Sequence, residues 1–444
     1  MGTLGPDLGT QEYRVVIVQP ESHGVLALAS AGLFRLPRIS IPSMQRPARE
    51  LQKAIKATWG VTAFILDACV APHGASPCAV AELRSPRVIS NLEEVALERI
   101  MSSELTSEEH HDIQLLFEGE STFAVARMGW IDAAIDWAAS VTGRRFSTEN
   151  DIEQLNAAGG FVLLRLRSDD GRSYWLKATG VPNLHELSIT SCLSNLYPEF
   201  LPKLVAIRND WNAWLTEDAG EPLSTPPVDA VFTQAIRSFA FLQTRTIGTV
   251  DVLLAAGAFD QRIPVLRCHL DDVIAFLIDA MAKQATAKVA PLSRHRVLEL
   301  KKILGDALCQ LELLAIPDAL IHNDLNLGNI LHDGTRCVFT DWSEAAVGNP
   351  FLSLERFRLL NRDAEGKASC VYGEVWGEYI SEESIDHACR LATLLSIFAY
   401  LYGRGDWLKD TSKVTPQFES YARSLARHMD RAAQSPQLRE ALCR

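Results

Sequence analysis

The segment from Leu320 to Pro350 constrains the fold of this 444-residue chain more than any other part of its sequence. It predicts a polar loop followed by a β-hairpin with the strands Ile330-Leu331 and Cys337–Thr340. We expect a two-residue turn, Asp333-Gly334, between these strands. The loop before the hairpin and the residue after it carry the polar side chains of the segment, so the hairpin would bring them together at one of its ends.

Three side chains with oxygen atoms would meet at that end of the hairpin, those of Asp324, Asn329 and Asp341. Oxygen ligands of this kind suit magnesium, which usually shares its coordination shell with substrate phosphates. Phosphoryl transfer requires positioning, neutralisation of charge by a metal, and a carboxylate that orients the acceptor hydroxyl. The segment therefore predicts a site for magnesium-dependent phosphoryl transfer.

The order of these residues is H-x-D-x-x-x-x-N, with an Asp twelve positions after the Asn. The full stretches, HNDLNLGNIL from His322 and TDW from Thr340, resemble the catalytic signature of the aminoglycoside phosphotransferase and choline kinase family. Members of that family phosphorylate hydroxyl groups of small molecules. The resemblance runs from about residue 145 to the C-terminus and implies an α+β, two-lobed, protein-kinase-like fold.

The same resemblance assigns roles to the residues of the segment. It implies that Asp324 is the catalytic base, that Asn329 and Asp341 are magnesium ligands, and that His322 holds the catalytic loop. It also implies ATP and Mg²⁺ as cofactors and a small-molecule hydroxyl acceptor as partner.

Two positions depart from the family's pattern. Asn323 stands where the family usually has glycine, which predicts either backbone strain or a new hydrogen bond. Ser353-Leu354 stands where the family often has an Asp-Leu pair, which predicts an altered hydrogen bond beside the site rather than altered chemistry.

Upstream residues supply the expected nucleotide contacts. By the resemblance, Lys177 on the predicted strand Tyr174–Ala178 would contact the α- and β-phosphates, and Glu186 in the next helix would pair with it. From the residues alone, an exposed lysine on an edge strand and a glutamate at a helix start explain them as well. Gly159 and Gly160 would let backbone amides approach phosphate, although an ordinary hairpin turn accounts for them equally.

The N-terminal region predicts a small domain that the kinase resemblance does not cover. The run from Lys53 to Val61 resembles a Nudix-box helix in outline. Placing Gly60 on the glycine of that box puts Ala54, Ala57 and Thr58 where its three glutamates belong, so a Nudix-like domain would be catalytically empty. A plain α+β domain is the alternative.

The chain is therefore expected to divide into an N-terminal domain (1–127), a kinase-like N-lobe (128–220) and a mainly helical C-lobe with the catalytic loop and acceptor site (221–444). Helical spacing of apolar residues predicts the longer helices, at 229–243, 270–283, 294–315 and 385–430. The acidic stretch 91–118 is also predicted to be helical.

Composition limits the remaining classes of function. The net charge of −12 argues against nucleic-acid binding, which needs clustered Lys and Arg. Nine cysteines without a C-x-x-C pair fit a reducing cytoplasm. No signal-peptide pattern opens the chain and no apolar run is long enough for a bilayer, so we expect no membrane association.

The sequence leaves the acceptor and the oligomeric state open. One alternative function is a kinase-shaped protein that binds nucleotide or ligand without turnover. Another is an aminoglycoside resistance enzyme, although nothing in the sequence favours antibiotics over amino alcohols, sugars or ketosamines.

Overall fold

The computed structural model describes most of the chain as two compact units. The described residues are 9–20, 22, 24–30, 32–43, 46–69, 76–121, 123–146, 152–158, 160–285, 289–361, 365–410 and 413–443. The first unit comprises Met1–Leu187 and Lys203–Asp218, and the second Ser188–Pro202 and Ala219–Arg444. Helices and sheets occur in both, so the predicted α+β class is confirmed. None of the described helices combines the length and hydrophobicity that crossing a membrane requires.

A mixed sheet occupies the N-terminal part of the first unit. Its described strands are β1 (Thr10–Val18), β2 (Val25–Ser30), β3 (Leu33–Arg35), β4 (Arg38–Pro42), β5 (Ala63–Cys69), β6 (Cys78–Leu83) and β7 (Glu93–Val95). The order is β3-β2-β1-β6-β5, with β4 on β1 and β7 on β2. Strands β1 and β6 run parallel, with Val16 opposite Val80, and the other pairs are antiparallel.

An antiparallel sheet forms the rest of the first unit. Its described strands are β8 (Ile152–Ala158), β9 (Phe161–Arg167), β10 (Ser173–Thr179), β11 (Leu204–Arg208) and β12 (Ala213–Glu217). The order β11-β12-β10-β9-β8 places β10 at the centre. The helices of this unit are α1 (Pro47–Trp59), α2 (Ser107–Glu118) and α3 (Trp130–Thr142), and the chain enters the second unit along α4 (His185–Leu196).

The two sheets of the first unit share one hydrophobic core, in which Val15 of β1 and Leu164 of β9 are both fully buried. The buried Gln154 of β8 joins the sheets directly. Its Oε1 accepts from the backbone N–H of Ile65 at 2.8 Å, and its Nε2 donates to the Ile65 carbonyl at 2.7 Å. Residues on both sides of position 127 therefore belong to one compact unit, and the division into three domains stays a prediction.

Helix α1 occupies the place where the Nudix-like pattern was noted. Pro47 starts the helix and Gly60 ends it in the left-handed region, at φ +67°. Ala57 and Thr58 are exposed on this helix. The Nudix-like resemblance itself stays a prediction.

The second unit is mainly helical. Its described helices beyond α4 are α5 (Asp229–Thr246), α6 (Val250–Ala255), α7 (Ile263–Cys268), α8 (Leu270–Ala282), α9 (Arg294–Leu313), α10 (Phe351–Leu360), α11 (Glu365–Trp376), α12 (Glu382–Tyr402), α13 (Asp406–Lys409), α14 (Pro416–Ala433) and α15 (Pro436–Leu442).

Two small three-stranded sheets lie among the described residues of this second unit. The strands are β13 (Glu221–Pro222), β14 (Phe259–Gln261), β15 (Ala319–His322), β16 (Ile330–His332), β17 (Cys337–Phe339) and β18 (Ala345–Gly348). One sheet has the order β13-β16-β17 and the other β14-β18-β15. The segment from Leu320 to Pro350 runs through both, because it leaves β15 and then forms the hairpin β16–β17.

Candidate active site

His322 fixes the start of the predicted catalytic loop. It is the last residue of β15 and is fully buried. Its Nε2 lies 2.9 Å from the carbonyl oxygen of Thr340, and its ring packs against Trp342 at 4.5 Å between centroids. Burial lowers the pKa of His322, so the ring is neutral and Nε2–H donates to Thr340. The loop is thereby tied to the end of the return strand.

The structure brings Asp324, Asn329 and Asp341 to the same end of the hairpin. The Nδ2 of Asn329 donates to the backbone carbonyl of Asp324 at 2.8 Å and to its carboxylate Oδ2 at 3.2 Å. Across the hairpin, the N–H of Thr340 donates to the carbonyl of Asn329 at 3.0 Å. Asp341 directly follows Thr340. The three residues therefore lie at one end of the hairpin in the second unit, as the sequence predicts.

Asp341 has an unusual backbone conformation. Its φ is +64°, in the left-handed region that few residues other than glycine adopt. It precedes a short 3₁₀ turn, and the hydroxyl of Ser343 donates to its Oδ1 at 3.2 Å. Strained backbone of this kind often accompanies functional residues. Here the Ser343 hydroxyl orients the Asp341 carboxylate.

The donor set fits magnesium. The side-chain nitrogen of Asn329 faces Asp324, so the side-chain oxygen of Asn329, Oδ1, is left for a cation. Asp341 supplies a carboxylate. Among the described residues, no three His, Cys, Asp or Glu side chains form a group that could hold a metal ion. A magnesium ion at this place would therefore need phosphate and water oxygens as well, as is usual for this ion.

The hairpin turn differs from the prediction. Strand β16 ends at His332 and β17 starts at Cys337, so four residues connect them and the predicted two-residue turn is wrong. Asp333 accounts for the difference, because its Oδ1 accepts from the hydroxyl and N–H of Thr335 and from the N–H of Arg336. These hydrogen bonds hold the pKa of Asp333 well below its usual range, and the bond from the Thr335 hydroxyl has the largest effect.

The two departures from the family's pattern have different outcomes. Asn323 is not among the residues with positive φ, so a left-handed backbone is not required there. Its buried Nδ2 has no hydrogen-bond partner among the described residues, so that donor makes no new bond there either. The fully buried Ser353 acts on the loop directly, since its Oγ accepts from the backbone N–H of His322 at 3.4 Å.

Lys177 and Glu186 form an ion pair in the first unit. The distance from Lys177 Nζ to Glu186 Oε1 is 2.6 Å, and the side chains are 14% and 1% exposed. Strand β10 is central, so the alternative of an exposed lysine on an edge strand is wrong. The ammonium also lies 5.4 Å from the ring centre of Phe161 and 5.8 Å from that of Trp214. Because burying an ion pair adds little stability, this pair points to a functional role.

Gly160 has a structural reason to be glycine. Its φ is +82°, and a Cβ there would lie 2.6 Å from the carbonyl oxygen of Val181. The close approach of two backbone segments therefore requires a residue without a side chain. Contact of Gly160 with phosphate stays a prediction, and Gly159 lies outside the described residues.

The sequence analysis missed a carboxylate near this site, that of Glu344. It is half-buried, and its backbone carbonyl accepts from the N–H of Asn323 at 3.4 Å. Burial, followed by the negative charge of Asp324, raises the pKa of Glu344 to about 7. Its position three residues after Asp341 is the sequence feature that could have identified it as a carboxylate near the site.

Comparisons with known proteins bear on the fold. No protein-family model and no curated protein matches the sequence. A choline/ethanolamine kinase family protein from Mesorhizobium loti aligns with a TM-score of 0.50 at 13% identity, over 70% of this chain and 98% of its own. A macrolide 2′-phosphotransferase from Brachybacterium faecium gives 0.47 at 17% identity, over 66% and 97%. Plasmodium vivax ethanolamine kinase gives 0.47 at 13% identity, over 78% and 98%.

The alignment with the Mesorhizobium loti protein defines a class of fold. The chain has a kinase-like α+β fold, similar to that of the choline/ethanolamine kinase family protein. The predicted α+β class and the resemblance to choline kinases are thus confirmed at the level of the fold. Identities of this size do not carry an activity across.

Proposed function

We propose that this protein is an ATP- and magnesium-dependent kinase that transfers the γ-phosphoryl group to a hydroxyl of a small molecule. The observation that carries the proposal is the contact of Asn329 with Asp324 beside Asp341 at the end of one hairpin. A fold with kinase-like neighbours supports it.

Asp324 acts on the acceptor. Its carboxylate is half-buried, and the Asn329 amide holds one oxygen in place. It accepts a hydrogen bond from the acceptor hydroxyl and takes its proton while the oxygen bonds to the γ-phosphorus. The bond between that phosphorus and the β-phosphate oxygen breaks, and ADP leaves with the electron pair.

Asn329 and Asp341 would hold magnesium, which neutralises phosphate charge when it is bound. The carbonyl oxygen of Asn329 and the carboxylate of Asp341 are the ligands that the chain provides. The hydrogen bond from the Ser343 hydroxyl helps to orient that carboxylate.

Lys177 contributes positive charge for the nucleotide phosphates. The ion pair with Glu186 keeps its ammonium in one position, beside the rings of Phe161 and Trp214. Pre-positioned charge of this kind contributes more than a mobile surface lysine would.

We place this activity in the cytoplasm, with a small molecule as acceptor and without nucleic-acid or membrane partners. The eight cysteines whose side chains the structure describes are free thiols, which fits a reducing compartment.

A phosphorylation screen tests the proposal. The purified protein is incubated with MgATP and hydroxylated metabolites, including amino alcohols, sugars, ketosamines, hydroxy amino acids and aminoglycosides. We expect ADP release that depends on one class of acceptor, with the phosphorylated product seen by mass spectrometry. Binding of MgATP without transfer to any compound would contradict the proposal and favour a binding protein.

A further inference from the structure

Three side chains of the second unit have no part in the proposed transfer. They are Glu344, which precedes β18, Arg356 on α10 and Tyr400 on α12, and we call them the Glu344 cluster. Strand β18 pairs with β15, which ends at the catalytic loop. The N–H of Asn323 donates to the Glu344 carbonyl at 3.4 Å, so Glu344 adjoins the loop that carries Asp324. Helix α10 also contacts this loop, since Ser353 accepts from the His322 N–H at 3.4 Å.

Arg356 is held by an aromatic ring rather than by a carboxylate. Its guanidinium carbon lies 4.2 Å from the ring centre of Tyr400. It is half-buried, and no hydrogen bond or ion pair joins it to any residue that the structure describes. Stacking on tyrosine leaves the edge of the guanidinium, with its parallel N–H groups, open to a planar anion.

Glu344 is a second ionisable group without a side-chain partner in the described residues, and a bound ammonium would favour its charged form. No hydrogen bond or ion pair joins its carboxylate to another side chain in the described part of the chain. Arg356 attracts it, but no nitrogen of that residue comes within 4.0 Å of it, the limit for an ion pair. Asp324 and Asp341 repel its negative charge, so a bound cation would relieve an unfavourable arrangement.

Opposite charges that are close without pairing suit a ligand that carries both charges. A carboxylate on such a ligand would satisfy Arg356 through two parallel hydrogen bonds, and an ammonium would satisfy Glu344. An amino alcohol or a sugar would leave the half-buried donors of Arg356 unpaired, which disfavours it. A hydroxy acid would leave Glu344 unpaired in the same way.

We propose that the Glu344 cluster binds the acceptor and that this acceptor is a hydroxylated amino acid in its zwitterionic form. Its carboxylate lies on Arg356 and its ammonium on Glu344, and its side-chain hydroxyl faces Asp324. This assignment rests on the proposed kinase function, because it names the substrate class of the same site. Arg356 and Glu344 then determine specificity.

The test compares three matched sets of compounds with the full-length protein. The sets are hydroxy amino acids (serine, threonine, homoserine and hydroxylysine), the amino alcohols that lack their carboxylate, and the hydroxy acids that lack their amine. Phosphoryl transfer from MgATP is measured for each, and binding of each is measured by calorimetry. We expect kcat/KM for one hydroxy amino acid to exceed that of its two partial analogues by about 10- to 100-fold each.

Two variants locate the specificity. Arg356→Gln is expected to lower kcat/KM for the hydroxy amino acid by about 10- to 100-fold, mainly through KM, and to leave transfer to the amino alcohol within about twofold. Glu344→Gln is expected to lower kcat/KM for the hydroxy amino acid by a similar factor and to leave transfer to the hydroxy acid, which lacks the ammonium, within about twofold. Arg404→Gln is the matched control, because Arg404 also lies over an aromatic ring, that of Phe259, at 4.8 Å.

The outcomes separate this inference from the proposed function. Transfer to amino alcohols or sugars in preference to amino acids would overturn the inference and leave the kinase intact. If Arg356→Gln lowers kcat/KM equally for all three sets of compounds, Arg356 has a structural role and the inference is also overturned. If nothing is phosphorylated, hydroxy amino acid binding that Arg356→Gln weakens would still support the ligand assignment, whereas no such binding would overturn it.

Discussion

Glu82 is a buried carboxylate that holds the start of α3, since both of its oxygens accept from the N–H of Gly129, at 2.9 and 3.0 Å. Burial raises its pKa from 4.5 to about 7. Because the pKa of Glu82 is raised in the folded state, its contribution to the stability of the fold is fully present below pH 4.5. That contribution is lost as the pH rises through about 7. Glu82 therefore makes the fold less stable at neutral pH than at pH 5.

The variant Glu82→Gln should remove this pH dependence, because glutamine can still accept from Gly129 and carries no charge. We expect the free energy of unfolding in urea to fall less between pH 5 and pH 8 in the variant than in the wild type. Glu98→Gln, at an exposed glutamate, corrects for general effects of charge. A pH dependence that is the same in all three proteins would show that Glu82 is not responsible.

Gly160 allows a direct test of backbone crowding. Gly160→Ala should lower the free energy of unfolding by about 2 kcal/mol or more, because it adds strain at positive φ and a clash with Val181. Gly171→Ala is a matched control, since Gly171 has the same φ, +82°, and no described atom within 4 Å of an added Cβ. Equal destabilisation of the two variants in denaturant unfolding would argue against the close approach to Val181.

At the scale of elements, Gln154 joins β8 to β5 through hydrogen bonds in both directions. Gln154→Leu should destabilise the first unit by roughly 2–4 kcal/mol, because it leaves the buried N–H and carbonyl of Ile65 without those partners. Urea unfolding measures this effect, and Gln114→Leu on the exposed face of α2 provides the comparison. A loss no greater than that of the surface variant would mean that Gln154 does not hold the sheets together.

Helices with a clear apolar period could be predicted closely from the sequence. Helices α5, α8 and α9 start where the apolar spacing starts and end within three residues of the predicted ends. The stretch 91–118 was predicted as helix, but only Ser107–Glu118 is α-helical there. Strand β7 within it exists through its pairing with β2, a long-range contact that local sequence does not reveal.

The site could be predicted where its residues are close in sequence. Asp324, Asn329 and Asp341 belong to one loop and one hairpin, so their spacing alone brings them together. The Glu344 cluster could not be predicted, because Arg356 and Tyr400 come from two helices whose packing depends on the whole unit. The turn at Asp333 was wrong because side-chain hydrogen bonds stabilise a longer loop.

At the scale of the whole molecule, nucleotide binding should depend on Lys177. Saturating MgATP at about 100 times its Kd should stabilise the wild type by ~2.7 kcal/mol in thermal unfolding. Lys177→Met should lose roughly half of this at the same concentration, as expected for a tenfold weaker Kd. Lys53→Met removes another ion-paired lysine of the first unit, one joined to Glu50 at 2.8 Å, and should retain the full effect. Equal stabilisation in both variants would contradict the role of Lys177.

We propose that Asp324 is the base of a phosphoryl transfer to a hydroxyl. The most direct measurement is the rate of phosphorylated-acceptor formation from MgATP by Asp324→Asn, compared with the wild type and with Asp306→Asn, which changes an exposed aspartate on α9. We predict that kcat falls by about 10²- to 10⁴-fold in Asp324→Asn, while MgATP still binds and Asp306→Asn remains fully active. A kcat for Asp324→Asn close to that of the wild type would contradict the account.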